Sequence, residues 1–342
     1  MPRIRPLLVT LLGLLYSAAA VNIEEQPERR GFSLPATRAS ERYQAGKRSV
    51  TGTVDGTHNN DGSVLVDVTF GSQTLPVVFD TASSILWVWS TYYNGSLTGD
   101  LYYNISASTT WAQLPGYTFN ISYQDGSGSS GVVGTDKVTM GGLTVTGATL
   151  GAANAGTPGP TTVTKNTWMQ NIASSLPSPI FAAYLPWGTG AAQSSIDFGY
   201  IDSSKYTGTL STVPLISGTS RWAFTSTSYY VNGVHYSVTS TSSGSAFMAY
   251  YAKVPGAYED SGAWFFPCST TFPSLTLDVG GVQAPVNHVI DAYSLTLANG
   301  TRICRGGIQP STSMIFGQVF LASNYVVFND AASTIQIANI VF

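Results

Sequence analysis

Cysteine, histidine and charged side chains are scarce in this chain, and each scarcity excludes a class of function. The 342 residues include 2 cysteines and 3 histidines, and 10% of the residues are charged. Neither the cysteines nor the histidines have the spacing of zinc ligands, so we expect no metal site and no cofactor. Phosphate binding requires clustered positive charge, and few basic residues follow position 48. We therefore expect no nucleic acid among the partners.

Long apolar runs are missing beyond the N-terminus. Residues 1–20 combine Arg3 and Arg5, an apolar stretch and the small residues Ala18–Ala20, which is the pattern of a cleaved signal peptide. This stretch is too short to anchor the chain in a membrane, and no later stretch reaches the roughly 18 apolar residues that spanning requires. We expect a secreted, extracellular protein that does not enter the membrane.

Basic residues are concentrated near the N-terminus. Residues 1–48 hold 8 of the 15 Lys+Arg, so residues 49–342 carry 7 bases against 14 acids, a formal charge of −7. Residues 21–48 contain few large apolar side chains and end in the dibasic pair Lys47-Arg48. We interpret residues 21–48 as a propeptide. The alternative is a disordered tail with no inhibitory role.

An exported chain meets oxidising conditions, and this affects two further kinds of site. Cys268 and Cys304 are the only cysteines, so we expect them to form a disulfide. Four Asn-X-Ser/Thr sequons are candidate glycosylation sites, and their asparagines are Asn94, Asn104, Asn120 and Asn299. Because sequons also occur by chance, none of them proves export.

The pattern of apolar residues predicts an all-β protein. With 43% hydrophobic residues and 35 glycines, the chain is long enough for a large core and two domains. From Ser63 onward, runs rich in β-branched and aromatic residues, such as Val64–Phe70 and Lys137–Val145, alternate with turn residues. Helical signals are few, the best being at residues 167–174 and 246–254.

Asp80 lies in a polar turn between two apolar runs. A carboxylate at the end of a buried strand is costly unless it is hydrogen-bonded or used in chemistry. An edge-strand turn with an ordinary surface aspartate is the alternative. The sequence from Asp80 to Ser84, Asp-Thr-Ala-Ser-Ser, followed by Trp87, resembles the signature of the pepsin-like aspartic peptidases. Ala82 stands where that family has glycine.

Further landmarks of this family follow in order along the chain. Residues 117–131 resemble its flap hairpin, in which Tyr123 would close over substrate and hydrogen-bond toward Trp87, although Gln124 replaces the usual glycine. Read without the family, this stretch is simply a hairpin with a Gly-Ser tip. Residues 194–208 resemble the strand that crosses between the lobes, and residues 314–321 resemble a brace strand of the second lobe.

The resemblance covers most of residues 52–342 and implies an all-β, bilobal fold with two β-barrel-like lobes around a cleft. The N-terminal lobe would span residues 49–195 and the C-terminal lobe residues 196–342. A monomer would bind polypeptides in the cleft, with Asp80 catalytic. The residues implied in substrate binding are Thr81, Ser83, Trp87, Tyr123, Asp125, Gly126 and Ser127.

Peptide hydrolysis in this family requires two aspartates that share one proton. One carboxylate takes a proton from the attacking water while the other donates toward the carbonyl oxygen. Family order places the second Asp motif between Val238 and Tyr250, where no aspartate occurs. Asp260 is the candidate substitute, although it follows Glu259 rather than an apolar strand end. A second gap falls in residues 151–167, which lack the brace strand of the first lobe.

Two functions of different class follow from this pattern. The first is a secreted aspartic-type endopeptidase, stored as a zymogen and active in acid, whose activity is impaired because only Asp80 is present. An incomplete gene model or splice form of such an enzyme is a version of this hypothesis. The alternative is a non-catalytic pepsin-fold homologue that binds peptides or another protein. A homodimer in which two Asp80 residues meet is sterically unfavourable.

Overall fold

The computed structural model describes the chain in separate ranges. These are residues 19–20, 50–58, 63–81, 83–93, 102–123, 127–155, 166–188, 191–219, 221–238, 249–287, 290–297, 299–308 and 314–341. The predicted signal peptide and propeptide lie outside these ranges, apart from Ala19–Ala20. Strands dominate the described residues, so the all-β prediction is confirmed.

The described strands, numbered in chain order, alternate with turns along the whole chain. They are β1 Ala19–Ala20, β2 Gly52–His58, β3 Val64–Phe70, β4 Gln73–Val78, β5 Trp87–Trp89, β6 Ala112–Ser122, β7 Gly128–Met140, β8 Leu143–Ala155, β9 Ile180–Tyr184, β10 Ser194–Phe198, β11 Tyr206–Pro214, β12 Ser228–Val231, β13 Val234–Ser237, β14 Tyr258–Asp260, β15 Ala263–Pro267, β16 Leu275–Val279, β17 Val282–Val286, β18 Ile290–Thr296, β19 Arg302–Gly306, β20 Met314–Ile315, β21 Asn324–Asn329 and β22 Thr334–Ile340.

Helices are short. The α-helices are α1, Trp168–Ile172, and α2, Gln318–Leu321, and residues 249–251 are also helical. The 3₁₀ turns are Ile105–Ala107, Ala173–Ser175 and Ser203–Lys205. Within the described ranges, no helix is long and apolar enough to cross a bilayer.

A 12-stranded sheet runs through both halves of the sequence. Its order is β11-β22-β21-β9-β10-β2-β3-β7-β8-β5, with β4 paired to β3 and β6 paired to β7. Its neighbouring strands are antiparallel except β5 and β8. Two 4-stranded sheets, β13-β12-β16-β17 and β14-β15-β19-β18, come from the C-terminal half, and β1 pairs with β20.

Two hydrophobic clusters form much of the core against which the sheets pack. The larger one is built from both halves of the chain and includes Phe70, Phe181 and Phe328. The second lies in the C-terminal half, with Tyr251 and Phe266 buried at its centre. Cys268 and Cys304 join β19 to the end of β15 through the predicted disulfide, with Cα atoms 5.0 Å apart and a sequence separation of 36. Closing a loop of this length stabilises the fold by about 4 kcal/mol in the chain-entropy description.

Local sequence signals explain where elements begin and end. Thr167 caps α1 by accepting from the Gln170 N–H at 3.1 Å, while the Gln170 side chain accepts from the Thr167 N–H at 2.9 Å. The predicted helix over residues 167–174 is therefore present in shortened form. Lys137–Val145, expected as one run, is instead the end of β7 and the start of β8. Gly141 and Gly142 have φ of 58° and 76°, which is the geometry of a tight hairpin turn that residues with a Cβ rarely adopt.

Candidate active site

Asp80 follows β4 at the point where this strand leaves the sheet. The Phe79 N–H donates to the Val64 carbonyl at 2.8 Å, which holds the chain to β3 for one residue beyond Val78. The Phe79 ring packs edge-on against Phe181, with centroids 6.0 Å apart. These contacts anchor the backbone next to Asp80 on the aromatic core. The Asp80 side chain is half-buried, as are Thr81 and Ser83, while Ala82 lies outside the described residues.

The strand after the Asp80 turn has a parallel partner. Trp87–Trp89 in β5 pair with Gly151–Ala153 in β8, and the Gly151 N–H donates to the Leu86 carbonyl at 2.9 Å. A Cβ added at Gly151 would lie 2.5 Å from the Phe119 ring, so the close approach of these segments requires glycine here. This pairing fixes the position of Trp87 relative to the turn.

Trp87 is joined to the predicted flap by a direct hydrogen bond. Its Nε1 donates to the Tyr123 hydroxyl at 2.9 Å, the contact expected from the sequence resemblance. The Trp87 ring also stacks on Phe119, with centroids 6.1 Å apart and planes inclined by 27°. The flap base and the strand after Asp80 thus form one aromatic unit, extended by Trp89 at 5.5 Å from Trp87.

The predicted flap is an antiparallel hairpin of β6 and β7, with Ser122 opposite Gly128. The Tyr123 N–H donates to the Ser127 carbonyl at 2.8 Å and closes the hairpin end. Tyr123 and Ser127 are half-buried. Gln124, Asp125 and Gly126, at the predicted tip, lie outside the described residues.

The brace-like segment of the C-terminal half is packed in the core. Phe316 is buried and contacts Phe224 and Phe320 edge-on, with centroids at 4.9 and 5.3 Å. Gly317 precedes α2, and its carbonyl accepts from the N–H groups of Phe320 and Leu321 at 3.0 Å each. Residues 239–248, where family order would place the second aspartate, lie outside the described residues, as do residues 156–165 near the other gap.

Asp260 is in a turn rather than at the end of a buried strand. It ends β14, and Ser261 and Gly262, with φ of 51° and 78°, connect it to β15. Positive φ at two successive residues is the geometry of a two-residue hairpin turn, which the Ser-Gly dipeptide favours. Asp260 is exposed and accepts from the Ser261 hydroxyl at 3.1 Å. It belongs to a different sheet from the strands around Asp80.

His58 lies in a network that sequence reasoning missed. Its Nε2 lies 2.8 Å from the Ser194 Oγ and 3.0 Å from the Pro186 carbonyl, and its Nδ1 lies 3.1 Å from the Gln318 Nε2. The ring also packs on Trp187, with centroids 4.5 Å apart. Burial lowers the pKa of His58, and the hydrogen bond to Pro186 offsets only part of this effect. No local pattern could have revealed the network, because the partners lie far apart in sequence.

Two buried carboxylates are also bound by several donors. Asp136 is fully buried and accepts hydrogen bonds from the hydroxyls of Tyr103, Thr110 and Ser108 and from the Lys137 N–H. Burial alone would raise the pKa of Asp136, but these hydrogen bonds outweigh it and hold the pKa below its usual value. Nothing in the sequence distinguished Asp136 from a surface aspartate.

Asp197, in β10, is the second of these carboxylates. It is fully buried and pairs with the Lys205 Nζ at 2.7 Å, and it also accepts from the hydroxyls of Thr53 and Tyr200 at 2.9 and 3.1 Å. Both carboxylates are satisfied by fixed donors, so they are structural rather than reactive. In the described part of the chain, no cluster of three or more His, Cys, Asp or Glu could hold a metal ion.

The described geometry brings together one half-buried carboxylate, an aromatic strand and a hairpin end. A carboxylate in this setting can accept a proton or donate one, and a neighbouring hairpin can hydrogen-bond an extended peptide. Trp87, Tyr123 and Ser127 are placed together, whereas Asp260 is on a separate hairpin.

Comparison with known proteins identifies the family. Residues 64–340 match the family described as eukaryotic aspartyl protease. The chain is 36% identical over 314 residues to aspartic protease pepA of Leptosphaeria maculans, covering 79% of this chain and 74% of the relative. Endothiapepsin of Cryphonectria parasitica is 35% identical over 80% of this chain and 74% of its own length. Penicillopepsin-1 of Penicillium janthinellum is 36% identical over 79% of this chain and 93% of its own.

The same comparisons bear on the two gaps. The alignment with the first relative is 314 positions long, and it includes about 270 residues of this chain, which is 79% of 342. About 44 positions of the relative are therefore aligned with gaps in this chain. This chain is therefore shorter than the relative over the aligned region. The match with the family model spans Asp80, the hairpin with Tyr123 and the brace-like segment at Phe316. From these matches and its all-β fold, the chain belongs to the eukaryotic aspartyl protease family, with pepsin-like architecture.

Proposed function

We propose that this chain is an exported aspartic-type endopeptidase relative that binds extended polypeptides in the cleft beside Asp80 and whose hydrolysis of peptide bonds is impaired. The hydrogen bond between Trp87 and Tyr123 carries the binding part of the proposal. It holds the flap hairpin against the strand that follows Asp80, so a peptide lying beside Asp80 would also lie under the flap.

Each site residue has a role in this proposal. Asp80 acts on the scissile bond, and the neighbouring Thr81 and Ser83 orient its carboxylate and the peptide backbone. Trp87 and Tyr123 form the side wall and the flap. Asp125, Gly126 and Ser127 contact the peptide from the flap tip, as an extra strand would. Residues 49–195 and 196–342 form the two lobes on either side of the cleft, and β10 spans their boundary.

Hydrolysis of peptide bonds should be impaired because the reaction needs two proton transfers and only one of the two aspartates is present. Asp80 alone can take a proton from the attacking water, but the carbonyl oxygen then lacks the neighbouring acid that would protonate it. No aspartate occurs between Asp202 and Asp260, so the family's second motif is missing from its expected position. Loss of one member of an acid–base pair typically costs about 10² to 10⁴ in rate.

A non-catalytic peptide-binding or protein-binding homologue is the second candidate. Ala82 carries a methyl group where the resembling family has glycine, and a Cβ restricts the backbone conformations open to a residue two positions from Asp80. Gln124 similarly replaces a glycine in the flap. Both substitutions fall next to residues assigned to the site, and neither changes Trp87 or Tyr123, so they favour binding without catalysis.

Export and processing complete the proposal. Residues 1–20 direct secretion, residues 21–48 form a propeptide that is removed after Lys47-Arg48, and the mature chain is an extracellular monomer that carries N-glycans. The basic propeptide and the acidic remainder, with a formal charge of −7, attract each other at neutral pH. Acid weakens this attraction by protonating carboxylates. The propeptide would therefore be released at the acid pH at which we propose that the family acts.

The test is hydrolysis of a quenched peptide at acid pH by the purified chain, beside Asp80→Asn and Asp260→Asn. We expect little or no turnover from all three proteins, with saturable binding of an aspartic-peptidase inhibitor that weakens in Asp80→Asn. Turnover that Asp260→Asn abolishes would overturn the proposal of an impaired site. Inhibitor binding that does not respond to Asp80→Asn would contradict the assigned cleft.

A second measurement separates an impaired protein from an incomplete gene model. Trypsin releases residues 222–253 as one peptide, because Arg221 and Lys253 enclose no other Lys or Arg. This peptide spans the position of the missing motif. Its detection by mass spectrometry in the natural secreted protein supports the sequence as written, and a longer peptide that contains an Asp-Thr-Gly motif would overturn it.

A further inference from the structure

Asn299 lies at the tip of the hairpin formed by β18 and β19. The turn is closed by the Leu297 N–H donating to the Thr301 carbonyl at 2.8 Å and by the Gly300 N–H donating to the Leu297 carbonyl at 2.9 Å. The Asn299 Oδ1 accepts from the Thr301 N–H at 3.0 Å. Asn299 is exposed, and the atom that bonds the turn backbone is its amide oxygen, not its amide nitrogen.

An apolar surface lies directly beside this tip. Leu295 and Leu297, on the same hairpin, are 49% and 40% exposed. Leu295 is in β18 and Leu297 follows the end of this strand, where its N–H still bonds the Thr301 carbonyl, so the alternation of the strand places both side chains on one side of the hairpin. Exposed apolar side chains next to a strand edge favour self-association unless something covers them. A hydrophilic group attached at Asn299 would stand next to both leucines.

The other described sequons differ sharply in their surroundings. Asn104 is exposed, its main chain bonds the side-chain amide of Gln73 at 2.8 and 2.9 Å and the Ala107 N–H at 3.1 Å, and its side chain caps no N–H of the following turn. Asn120 instead lies within the β6–β7 ladder opposite Ser130. Its side chain is half-buried, and its Oδ1 is enclosed without a hydrogen-bond partner. Asn94 lies outside the described residues.

We infer that Asn299 is an N-glycosylation site whose glycan covers the apolar hairpin surface of Leu295 and Leu297, that Asn104 is a second acceptor, and that Asn120 remains unmodified in the folded protein. This inference rests on the proposed export, because the transfer occurs only on chains that enter the secretory pathway.

The chemistry needs one co-reactant, an oligosaccharide carried on a lipid pyrophosphate. The Asn299 amide nitrogen forms a bond to C1 of the first sugar, the bond between C1 and the pyrophosphate oxygen breaks, the amide loses one proton, and the lipid pyrophosphate leaves. No group is oxidised or reduced. Thr301 supplies the hydroxyl of the acceptor sequon.

The burial of each asparagine decides whether the folded protein can carry a glycan at that sequon. A glycan on Asn299 or Asn104 extends into solvent and displaces nothing. A glycan on Asn120 would have to pass through the packed side of the flap ladder, so a modified chain could not form the β6–β7 pairing without moving the strand. Chains modified at Asn120 are therefore expected to be retained by the cell rather than secreted.

The experiment expresses the full chain in a eukaryotic secretory host and maps glycans on the protein in the medium. Trypsin releases Asn299 within residues 254–302, which contain Arg302 as their only Lys or Arg. Trypsin leaves Asn104 and Asn120 together in residues 49–137, and chymotrypsin, which cuts after Trp111 and Tyr117, separates them. We expect the peptides with Asn299 and Asn104 to carry sugar and the peptide with Asn120 to be unmodified. An unmodified Asn299, or a glycan on Asn120 in secreted protein, would overturn the inference.

Matched variants test the covering role. Asn299→Gln removes the acceptor, whereas Thr301→Ser keeps the sequon and serves as the control. Asn299→Gln should lose one glycan, bind more of a hydrophobic dye and self-associate at lower concentration, and replacing Leu295 and Leu297 with serine in that variant should reverse the last two effects. Unchanged dye binding and self-association in Asn299→Gln would contradict the covering role.

A parallel expression distinguishes failure of this inference from failure of the export proposal. In it, the host's own signal replaces residues 1–20, so entry into the secretory pathway no longer depends on the predicted signal. Protein that reaches the medium only with the host signal contradicts the proposed export. Protein that reaches the medium without sugar on Asn299 contradicts the glycosylation inference.

Discussion

Trp87 and Tyr123 lie 36 residues apart in sequence and are joined by a 2.9 Å hydrogen bond between the indole nitrogen and the phenol hydroxyl. The bond links the strand after the Asp80 turn to a hairpin end that the Tyr123 N–H also closes by donating to the Ser127 carbonyl. A side-chain contact therefore connects the end of the flap hairpin to the strand beside Asp80. This makes the pair a sensitive point for peptide binding.

Trp87→Phe should weaken binding of an aspartic-peptidase inhibitor by about tenfold or less, because one hydrogen bond contributes about 0.5–1.5 kcal/mol. The phenylalanine ring keeps much of the packing against Phe119, so Tm should fall little. Tyr123→Phe removes the same bond from the other side and should have a similar effect. The measurement is titration calorimetry on both variants and on the double variant.

The double variant provides the control. If the two side chains act through their shared hydrogen bond, the double variant should bind only slightly more weakly than either single variant. Fully additive losses would mean that each ring contacts the ligand independently and that the hydrogen bond does not position the flap.

Asp136→Asn should destabilise the protein by about 2–3 kcal/mol, since hydrogen bonds to a charged group contribute about 1.5–3 kcal/mol. The asparagine amide would place a donor among the hydroxyls of Tyr103, Thr110 and Ser108, which now donate to the carboxylate. Urea unfolding at neutral pH measures the change. Asp67→Asn, at an exposed position of β3 in the same sheet, is the control and should leave the unfolding free energy nearly unchanged.

Asp136 also predicts a loss of stability in strong acid. Its pKa is held below the ordinary value of 3.8 in the folded protein, so its contribution is present above about pH 3.8 and is lost as the pH falls toward the folded pKa. Asp136→Asn should have a flatter stability profile over that interval. A profile as steep as that of the wild-type protein would exclude Asp136 as the cause.

Features encoded within short stretches could be predicted from the sequence. Alternation of apolar residues predicted Val64–Phe70, the Thr167 capping box accompanies a predicted helix, and two cysteines in a chain with a predicted signal peptide predicted their disulfide. The hairpin at Gly141 was missed although its Gly-Gly dipeptide was visible, because the β-branched residues around it read as one run.

Features that depend on tertiary contacts could not be predicted. His58 meets Gln318 across 260 residues of sequence, and no local pattern distinguishes this histidine from an exposed one. The same holds for Asp136, whose donors become neighbours only when the sheet forms. The candidate site was predicted in part because its Asp80 turn and flap have recognisable sequences, whereas the roles of the residues around Asp80 require measurement.

His58 should make the protein lose stability at mildly acidic pH. Its pKa is lowered by burial, so the unfolded chain binds the proton more readily, and stability falls as the pH decreases below the ordinary value of 6.5. With Nε2 near the Pro186 carbonyl, Nδ1 of the neutral ring can accept from Gln318, and protonation would place two donors face to face.

The charged residues near His58 do not reverse this loss of stability with decreasing pH. Its own strand carries Asp55, which is exposed, and β10 carries Asp197, which is already paired with Lys205. The neighbouring β3 carries Asp67, also exposed, and neither α2 nor residues 185–188 carry a charge. Among the residues that the structure describes, no carboxylate is therefore placed to stabilise a protonated His58.

His58→Gln should remove this pH dependence. It should also lower stability at neutral pH, because the substitution removes the hydrogen bonds of the native His58 ring. The measurement is the urea midpoint at several values of pH between neutral and mildly acidic, with exposed His235→Gln as the control. The explanation would fail if His58→Gln and the wild-type protein lost stability in parallel over this range.

Lys205→Met should be the most destabilising single substitution considered, at about 3–5 kcal/mol, because it leaves the buried Asp197 carboxylate without its counter-ion. Asp197→Asn in the same chain removes that charge and keeps an oxygen that accepts from Thr53 and Tyr200, so the double variant should recover much of the loss. Unfolding free energies of the two single variants and the double variant give the coupling. A double variant less stable than Lys205→Met would mean that the lysine acts by packing over Tyr184, at 5.8 Å from its ring, rather than by balancing charge.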